Sequence, residues 1–289
     1  MTASYGNFPL TLWCGCVISH DLYARAEAVQ AGGYTAMSAL CGDFAALERA
    51  GSTLAQIAAE LRAREARVTV IDPFLAWYPS FTVGDDSGPH ADSLNTTEEN
   101  MLRYADAVGA ESMTLLTPFS GSPAPHAQVV DALGSLADRV GAHGLRVHLE
   151  VVPSSQVPDL PTGWSIIREV DRPNAGLVLD TFHLGRSNCE PQMLDEIPLA
   201  KVFHLQLCDA TREPVVEDYF EEAVTYRDFP GEGELDVAEY VRHLYRDGQL
   251  PTCGPEVFSP ELTTLSAAEA GRLCAQRARD FLGGLALGA

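Results

Sequence analysis

Four polar residues stand near the carboxyl ends of four successive β-rich segments, and together they offer three carboxylates and one amide. They are Glu150, Asp180, Gln206 and Glu256. Asp180 follows Glu150 by 30 residues and Gln206 follows Asp180 by 26, close to the length of one βα unit. Glu256 follows after one further unit and a long connection. Because side chains alternate along a strand, we expect apolar neighbours to face helices and this polar set to face inward. The spacing predicts that four strands deliver one polar group each to the same small volume.

Such a volume is suited to a divalent metal ion. Carboxylates gathered in one place cannot all stay ionised unless a positive charge compensates them. Carboxylate and amide oxygens form a hard ligand set, which favours Mn²⁺ or Mg²⁺, with Co²⁺ or Zn²⁺ as alternatives. Taken alone, each of the four residues fits a structural role in a hydrogen-bond network better than a role as a metal ligand. Their joint placement at matched strand ends predicts that all four bind one metal ion.

Four further side chains are candidates for acting on a substrate beside this ion. His183 follows the second predicted ligand by three residues and suits a general acid or base, or equally a structural hydrogen-bond donor. Arg212 follows the third ligand by six residues and suits an anionic or hydroxylated substrate, with a surface salt bridge as the alternative. His204 and Trp77 are candidates for the pocket lining, or for plain core packing.

Eight β-rich segments alternate with helical stretches and would position these residues. The predicted strands are 8–16, 33–40, 67–73, 111–118, 146–152, 176–181, 201–209 and 253–257. This alternation predicts a single (β/α)8 TIM barrel, one domain over residues 1–289. An open doubly wound sheet is the alternative, but no GxGxxG motif follows the first strand.

The helical stretches carry their own start signals. Ser52 is predicted to begin one helix, and Thr96 to begin another, with Glu99 as the partner in a capping box. The stretches 126–143 and 266–284 show the spacing of Leu, Val and Ala that is typical of helices.

Two long connections follow strands, so they are expected to lie over the carboxyl-terminal mouth, where active sites of barrels occur. They cover about residues 74–95 and 210–234. The apolar and aromatic content of the first suggests a substrate less polar than a free sugar, or equally a contact in a homo-oligomer. The second ends in PGEGE at 230–234, which predicts a turn before a helix near Leu235 or a close approach of backbone to a ligand.

The charge balance limits the partners. The chain has 40 acidic and 19 basic residues, and its net charge of −21 repels phosphate backbones, so we expect no nucleic acid partner. Lys201 is the only lysine, which argues against catalysis through a Schiff base. A small-molecule substrate is the expected partner.

Membrane attachment is not expected either. No run approaches the ~20 apolar residues that a membrane span requires, and the stretch MTASYGNFPL lacks the features of a secretory signal. The seven cysteines are scattered without a CxxC pair, which favours reduced, buried side chains. The sequence thus predicts a cytoplasmic protein.

Nearly the whole chain resembles the xylose-isomerase-like TIM-barrel superfamily of sugar isomerases and epimerases. The motifs that carry this resemblance are HLEVVP around Glu150, LVLDTFH around Asp180 and His183, FHLQLCDA around Gln206, FPGEGELD, and PEVFS around Glu256.

In that superfamily a Glu, an Asp, a His or Gln and a final Glu bind one divalent metal, and the resemblance implies this role for the four predicted ligands. It also implies that Glu150 and Glu256 form an acid–base pair, and it matches His183 and Arg212 to family positions. Ketose epimerases usually carry His as the third ligand, where this chain has Gln206. A Gln there is similar to the 3-dehydroshikimate dehydratase branch.

Three functions are compatible with these residues. The first is a divalent-metal-dependent isomerase or epimerase of a sugar-like hydroxy-carbonyl compound, in which Glu150 or Glu256 removes a proton and the other returns it through a metal-stabilised enediolate. The alternative is a metal-dependent lyase, similar to the dehydratases, in which His183 transfers the proton as water is lost. The third is a non-catalytic binding subunit, which predicts an incomplete metal-ligand set.

Overall fold

Eight parallel strands form one sheet in the computed structural model, which describes residues 8–84, 91–285 and 287. The strands are hydrogen-bonded in chain order, from β1 to β8. They are β1 Thr11–Leu12, β2 Ala36–Leu40, β3 Val68–Phe74, β4 Ser112–Leu115, β5 Arg146–Glu150, β6 Ala175–Asp180, β7 Val202–Leu207 and β8 Thr252–Pro255. At least one helix follows each strand, so the predicted (β/α)8 fold class is confirmed.

All eight predicted strands are present, but most are shorter than the sequence suggested. The first shrinks from 8–16 to Thr11–Leu12 because Cys14–Val17 fold into a 3₁₀ turn. Every residue of β3, β6 and β7 is buried. This continuous burial is expected of parallel strands that are covered on both faces.

Twelve α-helices lie in the described part of the chain. They are α1 Leu22–Gly32, α2 Cys41–Arg49, α3 Leu54–Ala63, α4 Ala91–Leu94, α5 Glu98–Val108, α6 His126–Gly141, α7 Leu160–Val170, α8 Thr181–Arg186, α9 Tyr219–Ala223, α10 Val237–Leu244, α11 Pro260–Thr263 and α12 Ala267–Gly284. The helices predicted for 126–143 and 266–284 are confirmed as α6 and α12. The helix expected near Leu235 begins at Val237, and residues 85–90 of the first long connection lie outside the described residues.

Two predicted helix starts were wrong by one residue. Thr53, rather than Ser52, caps α3 and shares a capping box with Gln56. Thr97, rather than Thr96, caps α5, because its hydroxyl accepts the N–H of Asn100 at 3.2 Å. The third residue of α5 is therefore an asparagine, so the box predicted with Glu99 does not form.

The chain divides into two compact units. The first comprises residues 1–37 and 179–289, and the second comprises residues 38–178. In the first unit β1 pairs with β2 and β7 with β8, and a parallel bridge joins Leu10 to Cys253. In the second unit β3 pairs with β4, β4 with β5 and β5 with β6. The single domain expected over 1–289 stays a prediction.

The seven cysteines all lie in the described residues, where they are buried and form no disulfide, as predicted. Burial raises the pKa of Cys41 and Cys253 to about 12, so these thiols stay protonated at neutral pH. Over residues 8–84 and 91–285, no helix has both the length and the apolar character that crossing a bilayer demands.

Candidate active site

The first unit carries three of the four predicted metal ligands at the ends of strands. Asp180 is the last residue of β6, Gln206 lies near the end of β7, and Glu256 directly follows β8. The register pairs Gln206 with Gly254, and the N–H of Glu256 donates to the carbonyl of Leu207 at 3.0 Å. All three side chains are buried. The carboxyl ends of three neighbouring strands therefore present two carboxylates and an amide.

Both oxygens of the Asp180 carboxylate accept hydrogen bonds. Oδ1 accepts from the N–H of Phe182 at 2.7 Å and from the Cys208 thiol at 3.4 Å. Oδ2 accepts from Nη1 of Arg227 at 2.6 Å. Burial raises the pKa of Asp180, but neighbouring positive charge, chiefly that of Arg227, and the hydrogen bonds from Arg227 and the N–H of Phe182 together outweigh burial and lower this pKa below its ordinary value. The carboxylate is therefore ionised, as binding a cation requires.

Arg227 is buried beside this carboxylate. The Cζ atom of its guanidinium lies over two aromatic rings, 4.8 Å from the centroid of Phe182 and 4.9 Å from that of Phe258. Its Nε donates to the carbonyl of Ala223 at 2.6 Å, and Nη1 donates to the carbonyl of Glu256 at 3.3 Å. This arginine was not among the site residues predicted from the sequence. The available signal was a basic residue between aromatic ones in an acidic loop, in the stretch TYRDF.

Gln206 has a buried amide oxygen whose hydrogen-bonding capacity is unused within the part of the chain that the structure describes. Its Oε1 atom is buried and has no hydrogen-bond partner among the described residues. A buried acceptor without a donor costs about 1–3 kcal/mol, so native proteins satisfy such atoms with water or an ion. An amide oxygen next to the strands that carry Asp180 and Glu256 fits a metal ligand set.

His183 lies in the first turn of α8, three residues after Asp180. Its Nε2 is 3.8 Å from Oδ2 of Asp180. On its other side, Nδ1 is 2.5 Å from the hydroxyl of Tyr219, in a hydrogen bond whose donor depends on the tautomer. Tyr219 belongs to α9 in the connection 210–234 and was not among the site residues predicted from the sequence. The tyrosine orients the imidazole so that Nε2 faces the carboxylate side.

We expect Tyr219→Phe to change the tautomer balance of His183 and to lower the free energy of unfolding by about 1 kcal/mol, since one hydrogen bond is lost. Long-range ¹⁵N–¹H correlation spectra of the imidazole nitrogens measure the first effect, with His183→Gln identifying the signal. Tyr226→Phe, a change in the same connection, is the control. An unaltered His183 spectrum in Tyr219→Phe would show that the hydroxyl does not orient the ring.

A second carboxylate anchors the connection that carries Tyr219 and Arg227. Asp209 is buried, and its Oδ1 accepts from the N–H groups of Ala210 at 2.9 Å and Leu235 at 3.0 Å, while Oδ2 accepts from Gly231 at 3.1 Å. Burial raises the pKa of Asp209, and the backbone donors, Gly233 among them, oppose this shift. A Cβ atom on Gly233 would lie 2.5 Å from the Asp209 carboxylate. The backbone of PGEGE therefore approaches Asp209 closely, while an approach to a ligand stays a prediction.

A buried ion pair fixes the middle of the same connection. Arg186 donates from Nη2 to one oxygen of Glu222 at 2.7 Å and from Nε to the other at 2.9 Å. The backbone N–H of Val215 donates to the same carboxylate at 3.0 Å. Bidentate pairs of this kind fix orientation as well as distance. The connection is thus a folded segment with two internal anchors.

Arg212 and His204, the two predicted substrate-binding residues of the first unit, both contact other residues of the protein. Arg212 lies on the surface, where Nη2 donates to the carbonyl of Glu234 at 2.5 Å and lies 3.8 Å from the Asp236 carboxylate. His204 is buried in β7, and its ring meets Trp13 edge-on with centroids 5.5 Å apart. These contacts match the alternatives of a surface salt bridge and of core packing. Substrate binding by either residue stays a prediction.

The second unit holds the two remaining predicted site residues, the metal ligand Glu150 and the substrate contact Trp77. Glu150 is the last residue of β5, buried, and it lies opposite Val178 of β6 in the register. Trp77 is almost fully buried and donates from Nε1 to the carbonyl of Leu116 at 2.7 Å. The position of Glu150 at a strand end agrees with the pattern that suggested it, while the contacts of Trp77 match core packing. Their roles as metal ligand and substrate contact stay predictions.

Comparison with known proteins identifies the family. Residues 26–278 match the model of the xylose isomerase-like TIM barrel family, and the chain belongs to that family. It is 25% identical over 248 residues to a 3-dehydroshikimate dehydratase of Pseudomonas putida, a match that covers 84% of this chain. It is 30% identical over 143 residues to an inosose isomerase of Bacillus subtilis, which covers 49% of this chain.

The similarity reaches only part of these relatives. The matched regions span 37% of the dehydratase and 50% of the isomerase. Among solved structures, the IolI protein with a bound zinc atom superposes with a TM-score of 0.81 over 96% of this chain and 99% of that one, at 20% identity. That likeness establishes the shared fold. The relatives are enzymes of isomerase and dehydratase type, and the reaction of this chain must be argued from its own site.

Proposed function

We propose that this protein is a divalent-metal-dependent isomerase or epimerase of a sugar-like hydroxy-carbonyl compound. The ligands would be Glu150, Asp180, Gln206 and Glu256. The observation that carries the proposal is the buried Oε1 of Gln206, which has no hydrogen-bond partner in the described chain. It lies on the strand between the two that bring Asp180 and Glu256.

The residues fit a divalent ion on chemical grounds. Carboxylate and amide oxygens are hard ligands, and Asp180 is held in its ionised form by Arg227. When bound, such an ion draws electron density from neighbouring hydroxyl and carbonyl oxygens and so acidifies the C–H bond between them. The metal identity stays open between Mn²⁺, Mg²⁺, Co²⁺ and Zn²⁺. Zinc in the IolI structure is a property of that protein.

Side chains of the protein would carry out the proton transfers. Glu256 and Glu150 are the proposed pair that removes and returns the proton at carbon. His183 is the proposed donor or acceptor at oxygen, because Tyr219 holds its Nδ1 and leaves Nε2 for the substrate side. The burial of Glu256 and His183 limits competing proton exchange with water.

A lyase is the second candidate, and one residue favours it. The third proposed ligand position carries Gln206, and a relative whose match covers 84% of this chain is a dehydratase. The same proton removal, followed by departure of a β-hydroxyl group as water, would give a conjugated alkene. In that reaction His183 would protonate the leaving hydroxyl group.

Both candidates can be tested with one panel of compounds. The panel contains inosose, ketohexoses and 3-dehydroshikimate, each incubated with protein and Mn²⁺ in D₂O. Nuclear magnetic resonance reports deuterium incorporation at carbon, and ultraviolet absorbance reports a conjugated product. Glu256→Gln tests the proposed base, and Glu261→Gln, a change at an exposed residue, is the control.

Deuterium incorporation without new absorbance supports the isomerase, and rising absorbance supports the lyase. Either signal should fall by at least ~10²-fold in Glu256→Gln, the usual contribution of a general base, and persist in Glu261→Gln. If no compound exchanges although the protein holds its metal, the catalytic proposal is wrong for these substrate classes and a binding subunit becomes the better interpretation.

A further inference from the structure

Arg227 is a buried cation that none of the proposed chemical steps uses. We propose that it is the positioning residue of the metal centre, a fixed positive charge that holds the Asp180 carboxylate and the Glu256 backbone in place for the ion. The inference rests on the proposed function, because it concerns the same site.

The surroundings of Arg227 leave the guanidinium little freedom. The Cζ atom of Arg227 lies 4.8 Å from the ring centroid of Phe182 and 4.9 Å from that of Phe258. Nε is tied to the carbonyl of Ala223 at 2.6 Å, which fixes the rotation of the plane. A planar guanidinium stacked in this way keeps its geometry, whereas the ammonium of lysine is a flexible point charge. The position of the charge is therefore set by the fold and not by the ion.

This fixed group determines how Asp180 is presented. Arg227 occupies one acceptor position of Oδ2 at 2.6 Å, while the N–H of Phe182 and the thiol of Cys208 occupy Oδ1. A carboxylate has about four acceptor positions, so Oδ2 keeps one position for a further partner. Bonds to such outer groups orient metal ligands and adjust their affinity. Asp180 is thus aligned before any ion binds.

The positive charge of Arg227 is also needed to offset the charge of the proposed ligands. Three ligand carboxylates exceed a divalent ion by one negative charge, and a buried net charge is costly. The guanidinium of arginine stays protonated at every pH at which proteins are normally folded, so Arg227 carries a positive charge. Its Nη1 also lies 3.9 Å from the Glu256 carboxylate. The arginine offsets excess negative charge and keeps Asp180 and Glu256 in place in the metal-free protein.

Titration with Co²⁺ tests the inference without a substrate. Arg227→Lys keeps the charge but loses the planar fork, and Arg227→Met loses both. We expect Co²⁺ affinity to fall by about 10- to 100-fold in the lysine variant, as for other groups that orient metal ligands, and further in the methionine variant. Calorimetry measures the affinity, and the visible spectrum of bound Co²⁺ reports the ligand geometry, which should change in the lysine variant.

The chain offers a matched control. Arg186 is also buried and lies over the same Phe182 ring at 5.0 Å, but its ion-pair partner is Glu222. Arg186→Lys should therefore lower stability and leave Co²⁺ affinity and spectrum unchanged. If Arg227→Lys behaves in the same way, Arg227 is merely structural and the inference is overturned, while the metal centre stands. If the wild-type protein binds no Co²⁺, the titration is repeated with Mn²⁺, Mg²⁺ and Zn²⁺, and binding of none of the four ions overturns both the proposed function and the inference.

A measurement on the unchanged protein covers the case in which the variants do not fold. The Nε–H of Arg227 should give a ¹⁵N–¹H signal that exchanges slowly with water, both without metal and with one equivalent of Zn²⁺. Persistence of this signal supports a fixed positioning residue. Loss of the signal on addition of Zn²⁺ would show that the ion displaces the arginine, which contradicts the inference.

Discussion

Asp180→Asn is expected to abolish metal binding and to lower the free energy of unfolding of the metal-free protein by roughly 3–5 kcal/mol. The size follows from Arg227, because removing one partner of a buried ion pair leaves this charge with only the more distant Glu256 carboxylate, at 3.9 Å. The side chain of Arg227 is only 3% exposed, and that of Asp180 is fully buried. Urea denaturation in the presence of a chelator measures the change without a contribution from bound metal.

A double variant separates the two effects. Asp180→Asn combined with Arg227→Met removes the buried pair together, so we expect it to be more stable than Asp180→Asn alone while still binding no metal. Asp195→Asn, which removes a partner from an exposed pair with His243, should change stability by less than ~1 kcal/mol. Simple additivity of the two single changes would contradict the coupling between Asp180 and Arg227.

Asp209→Ala is the second change for which we expect a large loss of stability, and it lies outside the proposed metal ligands. Three N–H donors, of Ala210, Gly231 and Leu235, would lose their acceptor. Since each buried donor without a partner costs about 1–3 kcal/mol, we expect at least ~3 kcal/mol of destabilisation. Amide hydrogen exchange should show lower protection across 210–235, the segment that these bonds hold.

The same segment contains a suitable control. Asp218 caps α9 through one N–H, that of Glu221 at 2.8 Å, and this bond is exposed. Asp218→Ala should therefore cost about 1 kcal/mol, as N-cap substitutions usually do, and exchange should rise mainly near α9. Equal effects of the two substitutions would mean that Asp209 does not anchor the connection.

The strand ends were predictable from the sequence because parallel strands alternate with helices at a regular spacing. Asp180, Gln206 and Glu256 lie where this regularity put them. The helix starts were less certain, since Ser52 and Thr53, like Thr96 and Thr97, are neighbouring residues with equally good capping hydroxyls. Only the chain path decides which hydroxyl reaches the first turn.

The residues of the connection 210–234 were harder to predict. Arg212 and Arg227 are its two arginines, and spacing from Gln206 favoured Arg212. The structure exposes Arg212 and buries Arg227, because the connection folds back through Asp209 and Glu222. Irregular segments have no periodicity from which burial can be inferred. Tyr219 was missed for the same reason.

Metal analysis of the purified protein tests the central claim most directly. Wild-type protein, Glu150→Gln and Asp180→Asn would each be incubated with Mn²⁺, Mg²⁺, Co²⁺ or Zn²⁺, desalted and measured by mass spectrometry of the elements. We predict about one equivalent of metal per wild-type chain with at least one of these ions, and loss of that metal in both variants. Folded wild-type protein that stays metal-free with all four ions would contradict the account.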